Sequence, residues 1–485
     1  MNYRVIKRVI GWLLLFEAVF FLVPTITAIV YKEEELMDFL LCILICGLLG
    51  GVCLIGKPRS SELYAKEGVV IVSLSWIVLS LFGCLPFWIS GAIPSFVDAL
   101  FETVSGFTTT GASILSGDQI EGMAKSLLMW RSFTHWVGGM GVLVFIIAFL
   151  PLSGAKNMHI MKAESPGPTV GKLVPKVRTT ALILYGIYSV MTAIQFILLI
   201  LGRMPVFNAL TTAFGTAGTG GFAIKADSIA SYSSYCQIVV TIFMLLFSIN
   251  FNAYFLLLCG RIKDAFNTEI KVFIGIVAAA IIMITLNVYF TVSAAYEYTF
   301  GEALKHSAFS VASVISTTGF ATAHFNHWPA FSQGILVLLM FIGACAGSTG
   351  GGIKVSRVVI LYKGATHEMK RLLHPKQVKK ITVDGNIVEH EVVRGINAYM
   401  VAYCLIFIVS FLLISFDCQD FTTNFTAVAA TFNNIGPGMG MVGPDGGFGF
   451  YSILSKLVFI FDMLAGRLEI FPMLLLFSTK TWRKA

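Results

Sequence analysis

DALFETVSGFTTTG (98–111), NALTTAFGTAGTGG (208–221), HSAFSVASVISTTG (306–319) and TNFTAVAATFNNIG (423–436) can be laid on one another without a gap. Each is fourteen residues long, apolar, rich in Thr, Ser or Asn near its end, and closed by glycine. One such stretch could simply let membrane helices pack closely, as GxxxG faces do. Four of them in order are what a passage lined by four backbone loops requires.

Composition decides what solvent these stretches see. Hydrophobic residues make up 56% of the 485 and charged residues 12%, with a mean hydropathy of +0.83. Soluble domains carry about a quarter charged residues. Apolar runs recur from end to end, with no polar block long enough to fold separately, so the chain reads as one membrane domain. Of the nine cysteines, Cys42, Cys46, Cys53, Cys84, Cys259, Cys345 and Cys404 lie in apolar stretches, and no CxxC pair occurs. They read as packing residues and not as a disulfide framework. The first apolar run, Ile10 to Tyr31, is too long for a signal segment and lacks a small-residue cleavage site, which makes it a spanning helix.

A spanning helix needs roughly twenty apolar residues. Ten segments qualify: about 10–31, 37–56, 68–90, 127–151, 180–202, 235–259, 271–293, 331–361, 394–416 and 450–478. The glycine-closed stretches sit between the third and fourth, fifth and sixth, seventh and eighth, and ninth and tenth segments. Each has the length of a re-entrant segment. The expected fold is an all-α integral membrane protein: two N-terminal helices, then four pseudo-symmetric helix, pore-helix, helix repeats around a central pore. The divisions expected are 1–60 for the helix pair, 61–160, 161–265, 266–380 and 381–485 for the repeats.

Orientation follows from Lys and Arg. Basic residues gather at Arg4, Lys7 and Arg8, at Lys57 and Arg59, at Lys156 to Arg178, at Arg261 and Lys263, at Lys354 to Lys380, and at Lys480 to Lys484. In a ten-helix arrangement all of these fall on one side. Glu33 to Glu35, Asp118, Glu121, Asp227 and the four stretches fall on the other, with Lys32, Lys125 and Arg203 as basic exceptions. Both termini are therefore expected in the cytoplasm, with the half-helices dipping in from outside. The net charge of +8 is then mainly a topology signal and not a sign of nucleic-acid binding.

A cation crossing hydrocarbon must exchange its water for other oxygens, and rings of backbone carbonyls from converging loops can supply them. Glycine permits backbone angles that aim those carbonyls at one axis. Each half-helix would point its partially negative C-terminal end at the bilayer centre, where a cation would rest. The loops carry no carboxylate, which argues against a calcium-type site. A dehydrated monovalent cation suits them best.

With SGFTTTGAS (105–113), GTGGFA (218–223), STTGFATA (316–323) and NNIGPGMG (433–440) in order after two extra helices, the chain resembles the TrkH/TrkG branch of bacterial potassium-uptake proteins. The wider superfamily includes KtrB and the plant and fungal Trk/HKT transporters. The resemblance spans essentially the whole length. It implies potassium permeation through a pseudo-fourfold filter, with potassium ions held in the filter and no covalent cofactor. It also implies a homodimer with one pore per subunit, in the bacterial inner membrane, and a cytosolic TrkA-like ring protein that binds nucleotides and gates the pore. Carried over position by position, the ion-facing carbonyls belong to Thr109, Thr110 and Gly111; Thr219, Gly220 and Gly221; Thr317, Thr318 and Gly319; and Asn434, Ile435 and Gly436. Sodium-favouring relatives can carry serine at the first filter glycine; Gly111 stands here, which favours potassium. The four loops differ and the last runs into Pro437, so departures from fourfold geometry and looser selectivity are expected.

GACAGSTGGGIK (343–354) interrupts the eighth segment, and glycine destabilises helix by about 1 kcal/mol relative to alanine. Non-helical backbone at that depth must be buried or line water. The resemblance makes it a gating loop beneath the filter, involving Gly347, Gly350, Gly351, Gly352 and Lys354. It also makes Arg467, a cation in the last span, a pore-facing gate residue, with a pairing to Asp462 or Glu469 as the plainer alternative. The 347–352 glycines are not a phosphate loop, since Ile353 stands at its Lys position, and Arg371 excludes HExxH after His367. The Asp384-Gly385-Asn386 turn signals a cytosolic hairpin, a candidate docking surface. Two function classes compete: a gated, channel-like potassium subunit and a symporter coupled to Na+ or H+. Intramembrane carboxylates are few (Glu17, Glu102, Asp462 and Glu469), which favours the channel. No nucleophile with a base and no ligand cluster at metal spacing points to an enzyme.

Overall fold

A computed structural model describes residues 2–55, 65–141, 177–296, 298–374 and 380–482. Lys57, Arg59, Lys156 to Lys176, the end of the fourth expected span and residues 483–484 lie outside these. Apart from one two-stranded hairpin, the regular structure described is helical, as hydrocarbon demands of backbone that must satisfy itself. Among the described residues six helices are long and apolar enough to cross a membrane: Tyr3–Tyr31, Leu36–Leu54, Lys66–Ile89, Arg178–Leu201, Thr268–Thr291 and His390–Asp417. The first two pack on each other through Gly11 and Gly50. A Cβ on Gly11 would lie 2.9 Å from the Gly50 carbonyl oxygen, a backbone approach that only small residues allow.

Of the other four expected spans, 235–259, 331–361 and 450–478 are each two helices joined by a break, the middle one as the sequence led one to expect, and 127–151 is described only as far as residue 141. In the first repeat, helix Lys125–Gly139 ends at Gly138-Gly139. In the second, Ser234–Phe247 and Phe251–Leu258 meet at 91°, where the Asn250 side chain accepts from the Asn252 N–H and restarts the helix. In the third, Ala330–Ile342 and Val355–Leu373 flank the glycine-rich loop. In the fourth, Ile453–Arg467 and Ile470–Phe477 are split at Leu468-Glu469, with Glu469 left-handed at φ +60°. Apolar length alone could not reveal these breaks, because a broken helix with buried ends keeps the same hydropathy.

The half-helices are Phe96–Phe107, Val206–Ala217, Phe300–Ile315 and Phe421–Phe432. Three carry side-chain caps: Ser95, Thr299 with Glu302 in a capping box, and Asp420. The third begins six residues before its sequence stretch and is sixteen residues long against twelve in the others. The capping box at Thr299 supplies the earlier start.

Candidate functional site

All four half-helices end in the same way. The N–H groups of Thr110, Gly220, Thr318 and Ile435 each reach back five residues, to the carbonyls of Ser105, Gly215, Ser313 and Ala430, at 2.9 Å in every case. The residues just before them, Thr109, Thr219, Thr317 and Asn434, bond three residues back and have φ of +55°, +54°, +59° and +54°. This is the Schellman ending, which glycine normally supplies. Here three β-branched threonines and an asparagine occupy it, and such strain clusters at functional sites.

Two residues on, Gly111, Gly221, Gly319 and Gly436 again have positive φ, from +75° to +97°. Every loop thus has positive φ at its first and third residues and not at the one between, the last loop included despite Pro437, so the backbone keeps the fourfold pattern that Pro437 put in question. The glycines also close a ring. A Cβ on Gly111 would strike the Gly220 oxygen, one on Gly221 the Thr318 oxygen, and one on Gly319 the Ile435 oxygen. One on Gly436 would lie 2.8 Å from the Thr110 oxygen. Each loop leans on the next, first to second to third to fourth and back to first. Gly111, Gly221, Gly319 and Gly436 line one cavity of about 390 Å³. All twelve sequence-expected filter positions lie in these four converging loops.

Side chains from other elements hold the ring. His135 donates from Nδ1 to Gly106 O (2.7 Å), and its Nε2 accepts from the Phe222 N–H (3.2 Å). The second contact requires an unprotonated Nε2, so Nδ1 carries the hydrogen and donates to Gly106. Glu102 pairs with Arg131 at 2.6 Å, both buried, and accepts from Ser113 Oγ and the Ile114 N–H. Arg131 also donates to Ala223 O and stacks over the Phe222 ring. Asn434 Nδ2 donates to Thr110 Oγ1 (2.8 Å) and Met463 O (2.9 Å), stitching the fourth loop to the first. Asp98 takes Lys456 at 2.6 Å between the same two repeats. Sequence reasoning listed Glu102 but missed Arg131 and His135. A charge and an imidazole one turn apart in MWRSFTHW (129–136) were the available signal.

The glycine-rich loop lies against the half-helix ends, on the side of the ring away from the cavity. Gly351 N–H donates to Thr317 Oγ1 at 2.6 Å, and a Cβ on Gly350 would lie 2.8 Å from Ser316 O. Gly347 and Gly352 have positive φ, as does Lys354, whose ammonium folds back onto the Gly350 carbonyl. The loop binds the broken helix of the second repeat through Cys345 N–H to Ser248 O and Phe251 N–H to Gly347 O. Arg467 joins the rest: Nη1 donates to Thr349 O (2.7 Å), and Nη2 to Gly138 O and Gly139 O (both 2.6 Å). The breaks in the second helices of the last three repeats therefore meet at one place, together with the described end of the first repeat's helix at Gly138-Gly139. Of the carboxylates that Arg467 was weighed against, Asp462 accepts from Ser410 Oγ and Glu469 pairs with Arg357. Among the described residues there is no group of three or more His, Cys, Asp or Glu side chains that could hold a metal ion.

The fold is thus that of a helical membrane protein in which four half-helix and loop units close one ring over a shared cavity. Residues 35–484 match the family model TrkH, described as cation transport protein. Over its whole length the chain is 34% identical to the Trk system potassium uptake protein TrkH of Salmonella typhimurium, with both chains fully covered. It is 32% identical to TrkG of Escherichia coli, covering 99% of each. The crystal structure of the potassium transporter TrkH from Vibrio parahaemolyticus shares 33% identity and a TM-score of 0.89 over the full length of both chains. The chain belongs to the TrkH family of cation transport proteins.

Proposed function

We propose that this protein takes up potassium across the bacterial inner membrane. The ion passes through a filter made of the carbonyls of Thr109, Thr110, Gly111, Thr219, Gly220, Gly221, Thr317, Thr318, Gly319, Asn434, Ile435 and Gly436. The observation that carries this reading is the closed cycle of glycine-to-carbonyl contacts around one cavity, the arrangement in which peptide oxygens can replace an ion's hydration shell from four sides. The names of the relatives, potassium uptake proteins over their full lengths, support the choice of ion. The strained, side-chain-locked Schellman endings support a rigid filter, because strain of this kind persists only where the surroundings over-determine it.

Transport is channel-like. Of the intramembrane carboxylates, Glu102 and Glu469 are each in an ion pair with arginine and Asp462 is hydrogen-bonded to Ser410, while Glu17, buried without a hydrogen-bond partner among the described residues, sits in the first N-terminal helix, outside the four repeats. A coupled carrier needs carboxylates free to exchange a proton or a second ion. The glycine-rich loop and Arg467 form the gate, operated by a cytosolic nucleotide-binding protein. The chain works as a homodimer with a pore in each subunit and its termini in the cytoplasm.

The test is reversal potential. The purified protein, reconstituted in liposomes under opposed potassium, sodium and proton gradients, is expected to pass current that reverses at the potassium Nernst potential. Reversal that follows the sodium or proton gradient would replace this reading with symport.

A further inference from the structure

The glycine-rich loop is held from behind by a single carboxylate oxygen. Glu269 Oε1 accepts from the Ala346 N–H at 2.7 Å, near the start of the loop, and from the Ser356 N–H at 3.1 Å, just past its end. Helix Val355–Leu373, which continues the loop, begins at Lys354 without a side-chain cap of its own. Its first N–H groups need acceptors, and Glu269 supplies one from a different segment. A carboxylate shared by two N–H donors makes charge-assisted bonds, stronger than neutral ones. Glu269 is 9% exposed, so little water competes.

Glu269 is itself positioned by the cytosolic hairpin. Thr382–Val383 and Asn386–Ile387 pair antiparallel around the two-residue turn Asp384-Gly385, whose φ values are +50° and +78°. Asp384 Oδ1 accepts from both the N–H (2.8 Å) and the hydroxyl (2.5 Å) of Thr268, the residue next to Glu269 at the start of helix Thr268–Tyr296. Lys363 Nζ donates to Thr382 O at 2.8 Å and ties the same hairpin to the helix that leaves the loop. The hairpin thus touches both helices whose starts meet at Glu269. On its other face the loop is bonded to the filter through Thr317 and to Arg467.

We propose that Glu269 is a latch that holds the glycine-rich loop beneath the filter, and that Asp384 sets the latch by fixing the helix start that carries it. A force that shifts the hairpin moves Thr268, withdraws Glu269 from Ala346 and Ser356, and frees the loop. Glu269 and Asp384 are positioning residues here; neither touches the permeating ion. The proposal rests on the pore reading given above.

The test uses the purified full-length chain in potassium-loaded liposomes without any partner. Glu269→Ala is expected to raise basal potassium flux at least fivefold with the reversal potential unchanged. Glu269→Gln, whose amide oxygen can still accept both N–H groups, returns flux towards wild type. Asp384→Ala raises flux to a smaller extent, and combined with Glu269→Ala it adds nothing, as expected of two residues in one path. Hydrogen exchange over 343–358 quickens in Glu269→Ala while the four half-helices stay protected. Glu269→Ala flux within twofold of wild type, multiplicative effects in the double variant, or unchanged exchange over 343–358 would each overturn the latch. If Arg467→Ala raises flux and Glu269→Ala does not, the latch alone fails. If neither wild type nor Arg467→Ala conducts, the pore reading fails, and the exchange measurement then decides the latch by itself.

Discussion

Arg467, proposed above as part of the gate, bonds to backbone and not to a carboxylate in the contacts described. Its guanidinium spans three carbonyls on two other repeats and, on the proposed pore reading, places a fixed positive charge where cations would leave the filter. At an effective dielectric of about 20, a like charge about 8 to 16 Å away opposes a cation by about 1 to 2 kcal/mol. That corresponds to a factor of roughly 5 to 30 in rate. Arg467→Ala is therefore expected to increase basal cation leak by about that factor, measured as liposome flux at matched protein; flux equal to wild type would remove Arg467 from the gate. The sequence made this residue conspicuous, since arginine inside an apolar span needs a reason. It could not choose among the partners: Asp462 and Glu469 were nearby candidates without ideal spacing, and the carbonyls that receive the guanidinium come from positions 349, 138 and 139, far away in the chain.

At the level of elements, the half-helices are fixed at both ends by different chemistry. Their C-terminal ends are strained Schellman turns, and three of the four starts carry side-chain caps. The Asp420 carboxylate is held below the usual carboxylate range by the Thr423 hydroxyl, then by the Thr423 N–H. A depressed folded value means that the cap contributes fully above the unfolded value of about 4 and is lost as pH falls through the folded value. Melting of wild type and Asp420→Ala at several pH values should show a gap of about 1 kcal/mol at neutral pH that closes only in strong acid. A gap that persists there would refute the assignment.

The first half-helix has a second anchor, the buried Glu102–Arg131 pair. Removing one partner of such a pair leaves an uncompensated buried charge and costs about 3 to 5 kcal/mol, whereas replacing both is far milder. Glu102→Ala should accordingly lower thermal stability sharply, and Glu102→Gln combined with Arg131→Met should recover most of it. Equal losses in the single and double variants would mean that Glu102 acts through Ser113 and Ile114 instead.

For the whole molecule, the closed ring makes the four loops interdependent despite their different sequences. A ligand that binds only the assembled ring stabilises the fold by an amount set by its concentration, about 2.7 kcal/mol at 100 times Kd. Potassium should therefore raise the melting temperature of the wild-type protein. Gly111→Ala, Gly221→Ala, Gly319→Ala and Gly436→Ala should each abolish the rise, since each methyl would meet a neighbouring loop. A variant that kept the full potassium-dependent shift would exclude its loop from the ion site.

The membrane setting, the four half-helices and the loops that follow them were legible in the chain, because burial in hydrocarbon and re-entrant length are local properties of composition and spacing. The hairpin at 382–387 was equally legible from its Asp-Gly turn. Hidden were the breaks at Ser248 to Asn250 and at Leu468-Glu469, and the cross-links of His135, Arg131, Asn434 and Glu269. Each depends on a partner dozens to hundreds of residues away, brought near only when the repeats close on one another. Local sequence thus specified what each repeat is, while the order in which carbonyl meets glycine around the ring, and what locks the loop beneath it, were settled by packing in three dimensions.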